Sequence, residues 1–221
     1  MQQMWTDLDN YIDSHLIPDD PILKQTLENT AAHGFPDHLA VAANQGMLLQ
    51  MLIQMNGCKR VLELGTFAAY STMWLARALP EDGYILTIEG RDTHAAMGQE
   101  NIERANLKQT VELKCGRAAD ILKALPEDTK PFDFIFIDAD KQSYPEYLEL
   151  SLKLSRSGTV IFLDNVIRAG AIIDLDNNKP SIEGIRSMFE AMQNHPRLLS
   201  STALQTVGSK GHDGFALAIV K

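Results

Sequence analysis

From about residue 57 to the C-terminus, short apolar runs alternate with helix-like stretches. The runs that predict the first five strands are Val61–Leu64, Tyr84–Ile88, Val111–Leu113, Phe134–Ile137 and Thr159–Leu163. Strands that alternate with helices predict an α/β fold with a mostly parallel, doubly wound sheet. Two further runs, Leu198–Val207 and Phe215–Val220, have no helix-like stretch between them and therefore predict an antiparallel hairpin.

Residues 1–56 have the periodicity of helices rather than strands. One helical face repeats at Leu8, Tyr11, Ile12, His15 and Leu16. A second helical run follows Pro18–Pro21, and a third, Gln45–Met55, has a stripe of Met and Leu that we interpret as core packing. The chain is therefore predicted to form a single domain over 1–221, with a helical extension at 1–56 and an α/β core at 57–221.

Proline and serine mark two helix ends in the core. Pro145 stands where the first turn of a helix accepts proline. The last predicted helix has Ser181 as its candidate N-cap and Pro196 beyond its end. Its apolar face is formed by Ile182, Ile185, Met188, Phe189 and Met192.

Composition and charge narrow the class of protein. Apolar residues make up 45% of the 221, and no run approaches the roughly 20 residues of a membrane helix. The N-terminus lacks the basic head and apolar stretch of a signal peptide, so a cytoplasmic location is expected. Cys58 and Cys115, next to strand ends, are interpreted as reduced, half-buried thiols. A net charge of −9 without a Lys/Arg cluster disfavours nucleic acid and favours a small-molecule substrate.

The turn after the first predicted strand, in VLELGTFAAYS (61–71), is the first candidate binding site. Ligands bind at the carboxyl ends of strands in open α/β sheets, and Gly65 lets a ligand approach the backbone closely. Glu63 would repel a pyrophosphate but suits a sulfonium or an amine, which favours S-adenosylmethionine (SAM) over NAD. Glu89, at the end of the second strand, is typical of an acid that binds ribose hydroxyls, although it does not distinguish the two cofactors.

Acids at the ends of two later strands form the second candidate site. Asp138 and Asp140 follow a strand that is apolar on both faces, and Asp164 and Asn165 follow the next strand. Adjacent parallel strands would bring Asp138, Asp164 and Asn165 together as ligands for a hard divalent cation, Mg²⁺ by preference, with Mn²⁺ or Ca²⁺ as alternatives. Lys141, in the following turn, would have a lowered pKa beside a metal and could accept a substrate proton.

These residues resemble the metal-dependent class I O-methyltransferases, the family of catechol and caffeoyl-CoA O-methyltransferases and their bacterial relatives. The matching blocks are LELGTFAAYS (62–71), IDADK (137–141), Asp-Asn (164–165) and DGFALAIVK (213–221). The resemblance implies a Rossmann-like, seven-stranded SAM-binding sheet that ends in the hairpin. It also implies a homodimer, because members usually form one.

The resemblance also implies roles for single residues. Glu63, Gly65 and Ser71 would lie around the methionine part of SAM, Glu89 at the ribose and Ala118 beside the adenine. The full implied cofactor set is Val41, Glu63, Gly65, Thr66, Phe67, Ser71, Glu89, Ala118, Asp138 and Asp140. Asp138, Asp164 and Asn165 would hold the metal, and Lys141 would be the base.

Three departures from the family pattern are expected to matter. Ala69 replaces a glycine, so the loop before Ser71 is expected to sit slightly differently. Ala43-Asn44 replaces the usual Pro-Glu, and Arg168-Ala169-Gly170 replaces the Trp-Gly-Gly of the plant enzymes. The last two border the expected substrate cleft, which disfavours a caffeoyl-CoA substrate and leaves a diphenol in place.

The sequence thus predicts a SAM-dependent O-methyltransferase that methylates a hydroxyl of a catechol-like acceptor with the help of a metal. Three alternatives stay open: a tRNA hydroxyuridine O-methyltransferase of the same family, a non-catalytic SAM-binding module, and, with less support, an NAD-dependent dehydrogenase. Isolated histidines and the absence of a nucleophile-elbow pattern around Ser71 give hydrolase chemistry little support.

Overall fold

The computed structural model describes residues 1–36 and 39–221. Its helices and strands fall into two compact units. The first comprises Met1–Arg117 with Gly208–Lys210, and the second Ala118–Val207 with Gly211–Lys221. In the described ranges, no helix is long and apolar enough to cross a membrane.

The first unit begins with three helices and continues as alternating strands and helices. Its elements are α1 (Gln2–Leu16), α2 (Pro21–Ala32), α3 (Ala43–Met55), β1 (Arg60–Leu64), α4 (Tyr70–Ala78), β2 (Tyr84–Glu89), α5 (Asp92–Ala105) and β3 (Thr110–Cys115). β2 pairs in parallel with both β1 and β3. The start of α2 follows from its sequence, because Pro21 suits a first turn and the Asp20 side chain accepts hydrogen bonds from the Ile22 and Leu23 N–H groups.

The second unit carries the other strands. Its elements are α6 (Ala118–Lys123), β4 (Phe132–Ile137), a 3₁₀ turn (Lys141–Ser143), α7 (Tyr144–Lys153), β5 (Ser155–Asp164), a kinked 3₁₀ segment (Arg168–Ile173), α8 (Pro180–Met192), β6 (Leu198–Gly208) and β7 (Gly211–Val220). β4 and β5 are parallel, whereas β5 and β7 are antiparallel. The strand order of the seven-stranded sheet is β3-β2-β1-β4-β5-β7-β6, which confirms the predicted fold class.

The apolar patterns have the expected structural result in most elements. Every residue of β4 is buried, as the prediction of a strand with two covered faces requires. Pro145 lies in the first turn of α7. In α8, Ile182, Ile185 and Met188 are buried. The prediction of a single domain over 1–221 stays a prediction.

Helix α1 forms where the periodicity predicts it, but its apolar face is at the surface. The exposed fractions of Leu8, Tyr11 and Leu16 are 53%, 64% and 70%, and no residue of α1 is buried. The Met stripe of α3 is likewise divided, since Leu49 and Ile53 are buried while Met51 and Met55 are exposed. The interpretation of that stripe as core packing is therefore wrong for these two methionines.

Two smaller predictions are also wrong. The N-cap of α8 is Lys179 rather than Ser181, because Pro180, which needs no N–H partner, already occupies the first turn. Neither cysteine is in a disulfide, but neither is half-buried: Cys58 is buried, and Cys115, at the end of β3, is exposed.

Candidate active site

The carboxyl end of β1 holds a buried acid that is surrounded by hydroxyl groups. Glu63 has no exposed surface. Its Oε1 accepts a hydrogen bond of 2.6 Å from Ser71 Oγ, and its Oε2 accepts bonds of 2.5 Å from Thr72 Oγ1 and 2.7 Å from Thr87 Oγ1. These charge-assisted bonds satisfy a carboxylate that would otherwise be costly to bury. Glu63 therefore fixes the start of α4 against β1 and β2, and the expectation that it faces a sulfonium stays a prediction.

The turn between β1 and α4 has an unusual backbone. Gly65, Phe67 and Ala69 have φ values of 101°, 47° and 62°, all in the left-handed region. Ala69, where the family resemblance implies glycine, adopts a conformation that glycine reaches at little cost. The turn is also tied down, since Gly65 N donates to Ile88 O at 2.8 Å. The replacement of glycine thus stores strain in a turn that remains tightly bonded.

Glu89, at the end of β2, holds this turn. Its Oε2 accepts a 2.8 Å hydrogen bond from Phe67 N, and its Oε1 accepts one of 3.0 Å from Arg91 N. His94 Nδ1 lies 3.5 Å from the same Oε1. The carboxylate is therefore fixed in orientation at the position predicted for ribose recognition, and each oxygen can still accept a second bond.

Three aromatic rings pack beside Glu89, and the sequence singled out only one of them, Phe67. Phe35, Phe67 and His94 meet in pairs at nearly perpendicular angles, with centroids 4.9–5.6 Å apart. Edge-to-face contacts of this kind stabilise ring pairs by about 0.5–1.5 kcal/mol each. They brace Phe67 in its left-handed conformation.

The remaining predicted cofactor residues lie at element boundaries. Thr66 is buried and its hydroxyl is 2.5 Å from that of Thr87. Val41 lies just before α3, and Ala118 is the first residue of α6; both side chains are buried. Asp140 is exposed and accepts hydrogen bonds from Tyr147 Oη and Ser143 Oγ, which tie it to the start of α7.

In the second unit, the predicted acids lie at the ends of two paired strands. Ile137 of β4 is in register with Leu163 of β5, so Asp138 and Asp164 take the next positions on neighbouring strands. Asp164 is 4% exposed, and its Oδ1 accepts a 2.8 Å bond from Asn165 N. Asn165 has a left-handed φ of 56°, which asparagine tolerates better than most residues.

Lys141 is directly joined to this group. Its Nζ donates to Asp138 Oδ1 at 2.6 Å and lies 5.0 Å from the centre of the Tyr144 ring. The Lys141 side chain is only 10% exposed. The structure therefore places the predicted base beside a predicted metal ligand, within one turn of chain.

Tyr144 links the ends of β4 and β5, and nearby charges affect the pKa of its hydroxyl. Its hydroxyl lies 3.1 Å from Ile137 O and 2.8 Å from Asp164 O. Burial raises the pKa of Tyr144 well above its ordinary value, and the negative charges of Asp138, Asp164 and Asp213 raise it further. Three carboxylates thus act on one buried phenol, with Arg168 opposing them.

The carboxylate and amide oxygens of Asp138, Asp164 and Asn165 are of the kind that a hard divalent cation binds. Among the described residues, no group of three or more His, Cys, Asp or Glu side chains could hold a metal. The predicted set of two carboxylates and one amide is of a different kind, and Mg²⁺ is bound by few protein oxygens and several waters. Two acids on neighbouring strand ends repel each other, which a cation would relieve.

Comparison with known proteins decides the family. The family model described as O-methyltransferase matches residues 13–218. A catechol O-methyltransferase from Niastella koreensis is 46% identical over 220 residues, covering 99% of both chains. The chain belongs to the O-methyltransferase family.

Solved structures agree with this assignment. An O-methyltransferase from Bacillus cereus in complex with SAH has a TM-score of 0.96 and 49% identity, with 100% of each chain covered. An O-methyltransferase from Streptomyces achromogenes involved in tomaymycin synthesis, in complex with SAM, has a TM-score of 0.94 and 41% identity, covering 100% of this chain and 98% of that one. The predicted enzyme class, a SAM-dependent O-methyltransferase, is confirmed.

This O-methyltransferase has further residues at the site that sequence reasoning missed. His94 and Phe35 brace the turn and Glu89, Tyr144 joins the ends of β4 and β5, and Asp213 bonds to the backbone after Asn165. Of these, only Asp213 could have been found from the sequence, because it is the first residue of the block DGFALAIVK that carries the family resemblance. The others are isolated polar or aromatic residues whose spacing carries no information about their partners.

Proposed function

We propose that this enzyme transfers the methyl group of SAM to one hydroxyl of a catechol-like acceptor, with a divalent metal held by Asp138, Asp164 and Asn165. The observation that carries the proposal is the placement of Lys141 Nζ at 2.6 Å from Asp138, next to the paired ends of β4 and β5. A largely buried amine beside a carboxylate at the strand ends suits proton removal from a hydroxyl held there. The catechol O-methyltransferase from Niastella koreensis supports the choice of acceptor.

The first unit supplies the proposed cofactor site. Glu89, held by two backbone N–H groups, would accept hydrogen bonds from the ribose hydroxyls of SAM. Glu63 and the hydroxyl of Ser71 would face the methionine part, while Gly65 lets the ligand approach the turn. The complexes of two relatives with SAH and SAM support this donor.

The second unit supplies the proposed chemistry. The metal, Mg²⁺ by preference for oxygen ligands, would stabilise negative charge on a bound hydroxyl oxygen. The Lys141 side chain takes the hydroxyl proton on Nζ. An oxygen lone pair then forms the bond to the methyl carbon while the carbon–sulfur bond breaks, and that electron pair stays on sulfur to leave SAH. Asp138 orients the amine through its Oδ1.

The deciding experiment is mass spectrometry of products from a panel of catechols and polyphenols with SAM and Mg²⁺. Lys141→Ala should lower turnover by about 10²–10⁴-fold while SAM binds with unchanged affinity in calorimetry. The matched control is Lys123→Ala, because Lys123 also makes an ion pair, with Glu146 at 2.5 Å, but on α6 and α7. Full turnover of Lys141→Ala at neutral pH would refute the base, and activity after exhaustive EDTA treatment would refute the metal.

The same assays separate the competing activities. Transfer of labelled methyl groups to total tRNA, without methylation of any catechol, would favour a tRNA enzyme over this proposal. SAM binding with no transfer to either substrate would favour a non-catalytic module.

We further propose a homodimer whose interface includes the exposed face of α1. Leu8, Tyr11 and Leu16 present a contiguous apolar face, which is typical of a surface that another chain covers. Light scattering after gel filtration should give twice the mass of one chain, and Leu8→Asp should shift it toward the monomer. A monomeric wild type would refute the dimer.

The predicted cytoplasmic location is tested by fractionating cells that express the protein.

A further inference from the structure

The chain that follows the proposed metal ligands has a strained backbone. Asn165, Arg168, Ala169 and Gly170 have φ values of 56°, 54°, 54° and 84°. A left-handed conformation costs a residue other than glycine roughly 1–2 kcal/mol, and such conformations persist only when the surroundings hold them. Something must therefore fix residues 165–170, which we call the β5 turn.

One carboxylate accepts hydrogen bonds from two backbone amides of the β5 turn. Asp213 Oδ1 accepts hydrogen bonds from Ile167 N at 3.0 Å, Arg168 N at 2.9 Å and Gly214 N at 3.0 Å. The Asp213 Oδ2 atom lies 3.9 Å from Arg168 Nη1. A charged acceptor with several backbone donors makes a stronger and more directional anchor than a neutral one. Asp213 thus holds the β5 turn through two backbone amides of the turn and through the side chain of Arg168.

The neighbouring glycine completes the anchor. Gly214 O accepts a 2.9 Å hydrogen bond from Val166 N. A Cβ atom at Gly214 would lie 2.6 Å from Ile167 Cγ1 and 2.2 Å from Leu204 O, so only glycine permits this approach. The Asp-Gly pair therefore works as one unit, which accounts for the first two residues of the C-terminal block DGFALAIVK.

We infer that Asp213 is a positioning residue that orients Asn165 and Arg168 at the end of β5, and so sets the affinity of the site for metal and acceptor. The expected effect on metal and acceptor affinity rests on the proposed function, whereas the hydrogen bonds of Asp213 to the β5 turn do not. Asp213 already accepts three N–H bonds at Oδ1, and its Oδ2 lies 3.9 Å from Arg168 Nη1. Its action on the reaction is through the backbone.

The test compares Asp213→Ala with Asp213→Asn. The asparagine keeps an oxygen that can accept the three N–H bonds and removes the charge, whereas alanine removes both. The matched control is Asp174→Ala, because Asp174 also accepts a backbone bond, from Asp176 N at 3.2 Å, farther along the same loop. Circular dichroism and thermal melting establish that each variant is folded.

Binding of Mn²⁺, followed by electron paramagnetic resonance, is the main readout, with the acceptor KM and the SAM affinity measured beside it. Asp213→Ala should weaken Mn²⁺ binding by about 10–100-fold, the usual cost of losing a group that orients a metal ligand. It should raise the acceptor KM and leave SAM affinity unchanged. Asp213→Asn should recover most of the Mn²⁺ affinity, and Asp174→Ala should match the wild type.

Two outcomes would overturn the inference. Wild-type Mn²⁺ affinity and acceptor KM in Asp213→Ala would show that the anchor is dispensable. A loss in Asp213→Asn as large as that in Asp213→Ala would show that charge, and not the backbone bonds, is responsible.

Hydrogen exchange keeps this test separate from the proposed function. If the wild type neither binds Mn²⁺ nor methylates a catechol, the metal proposal fails. The anchor is then decided by the exchange of the Ile167 and Arg168 amides, which should lose protection in Asp213→Ala and keep it in Asp213→Asn. Equal protection in all three proteins would refute the anchor.

Discussion

Replacement of Tyr144 by phenylalanine removes a single buried oxygen from the point where β4 and β5 end. The Tyr144 hydroxyl has one proton to share between Asp164 O at 2.8 Å and Ile137 O at 3.1 Å. The side chain has no exposed surface, so water cannot replace the lost donor. The aromatic ring remains beside Lys141 Nζ, which keeps that contact and isolates the effect of the hydroxyl.

The expected cost follows from these two contacts. A net intramolecular hydrogen bond contributes about 0.5–1.5 kcal/mol, and a buried acceptor left without a donor costs about 1–3 kcal/mol. Because phenylalanine is also easier to bury than tyrosine, Tyr144→Phe should lower the free energy of unfolding by about 1–2 kcal/mol. For a chain of this length, that loss corresponds to a fall in Tm of about 2–8 °C.

Urea unfolding followed by circular dichroism measures the loss, in EDTA so that metal binding does not contribute. Tyr11→Phe is the matched control, since the same oxygen is removed from a side chain that is 64% exposed; its stability should change by less than about 0.5 kcal/mol. A loss in Tyr144→Phe no larger than that in the control would refute the view that this hydroxyl ties the two strand ends together.

Three further changes test other parts of the structure. Cys115 is exposed, but a hydrogen bond to the Asp92 carboxylate raises its pKa to about 11, so its alkylation at pH 8 should be about 100-fold slower than that of a thiol of pKa 9 and should accelerate as the pH rises toward 11. Asp92→Asn should restore fast alkylation, and equal rates would contradict the assignment. Gly184→Ala would place a Cβ 2.3 Å from the carbonyl oxygen of Lys141, so turnover should fall while SAM affinity, by calorimetry, is kept; unchanged turnover would contradict this packing. Ala169→Gly should relieve a left-handed conformation at an exposed position and raise the free energy of unfolding by about 0.5–1 kcal/mol in urea titration, whereas a lower value would contradict the strain.

Much of the fold could be predicted because the spacing of apolar residues along the chain reflects secondary structure and burial. Strand β4 has six buried residues, and the apolar run Phe134–Ile137 within it is typical of a central strand with two covered faces. The hairpin was also predictable, because the stretch between its two apolar runs is too short for a helix. The same logic placed Asp138 and Asp164 at strand ends, where parallel pairing makes them neighbours.

Periodicity could not show what covers an apolar face. Leu8 and Leu16 repeat as a core helix would, yet both are exposed, because helical periodicity marks an apolar face without showing what packs against it. Periodicity could not identify the N-cap of α8 either. Serine and proline are both common at helix starts, and the backbone conformation decides which residue begins the helix.

The sequence by itself thus determined the elements, their order and the residue types at the strand ends, because local patterns encode secondary structure and burial. Only the tertiary structure decided which partners those residues meet. Glu63 is enclosed by hydroxyls, Glu89 meets His94, and Asp213 holds the amides of Ile167 and Arg168 from a distant part of the chain. Such bonds depend on a few ångströms and a single orientation, and they leave no repeat in the sequence from which they could be read.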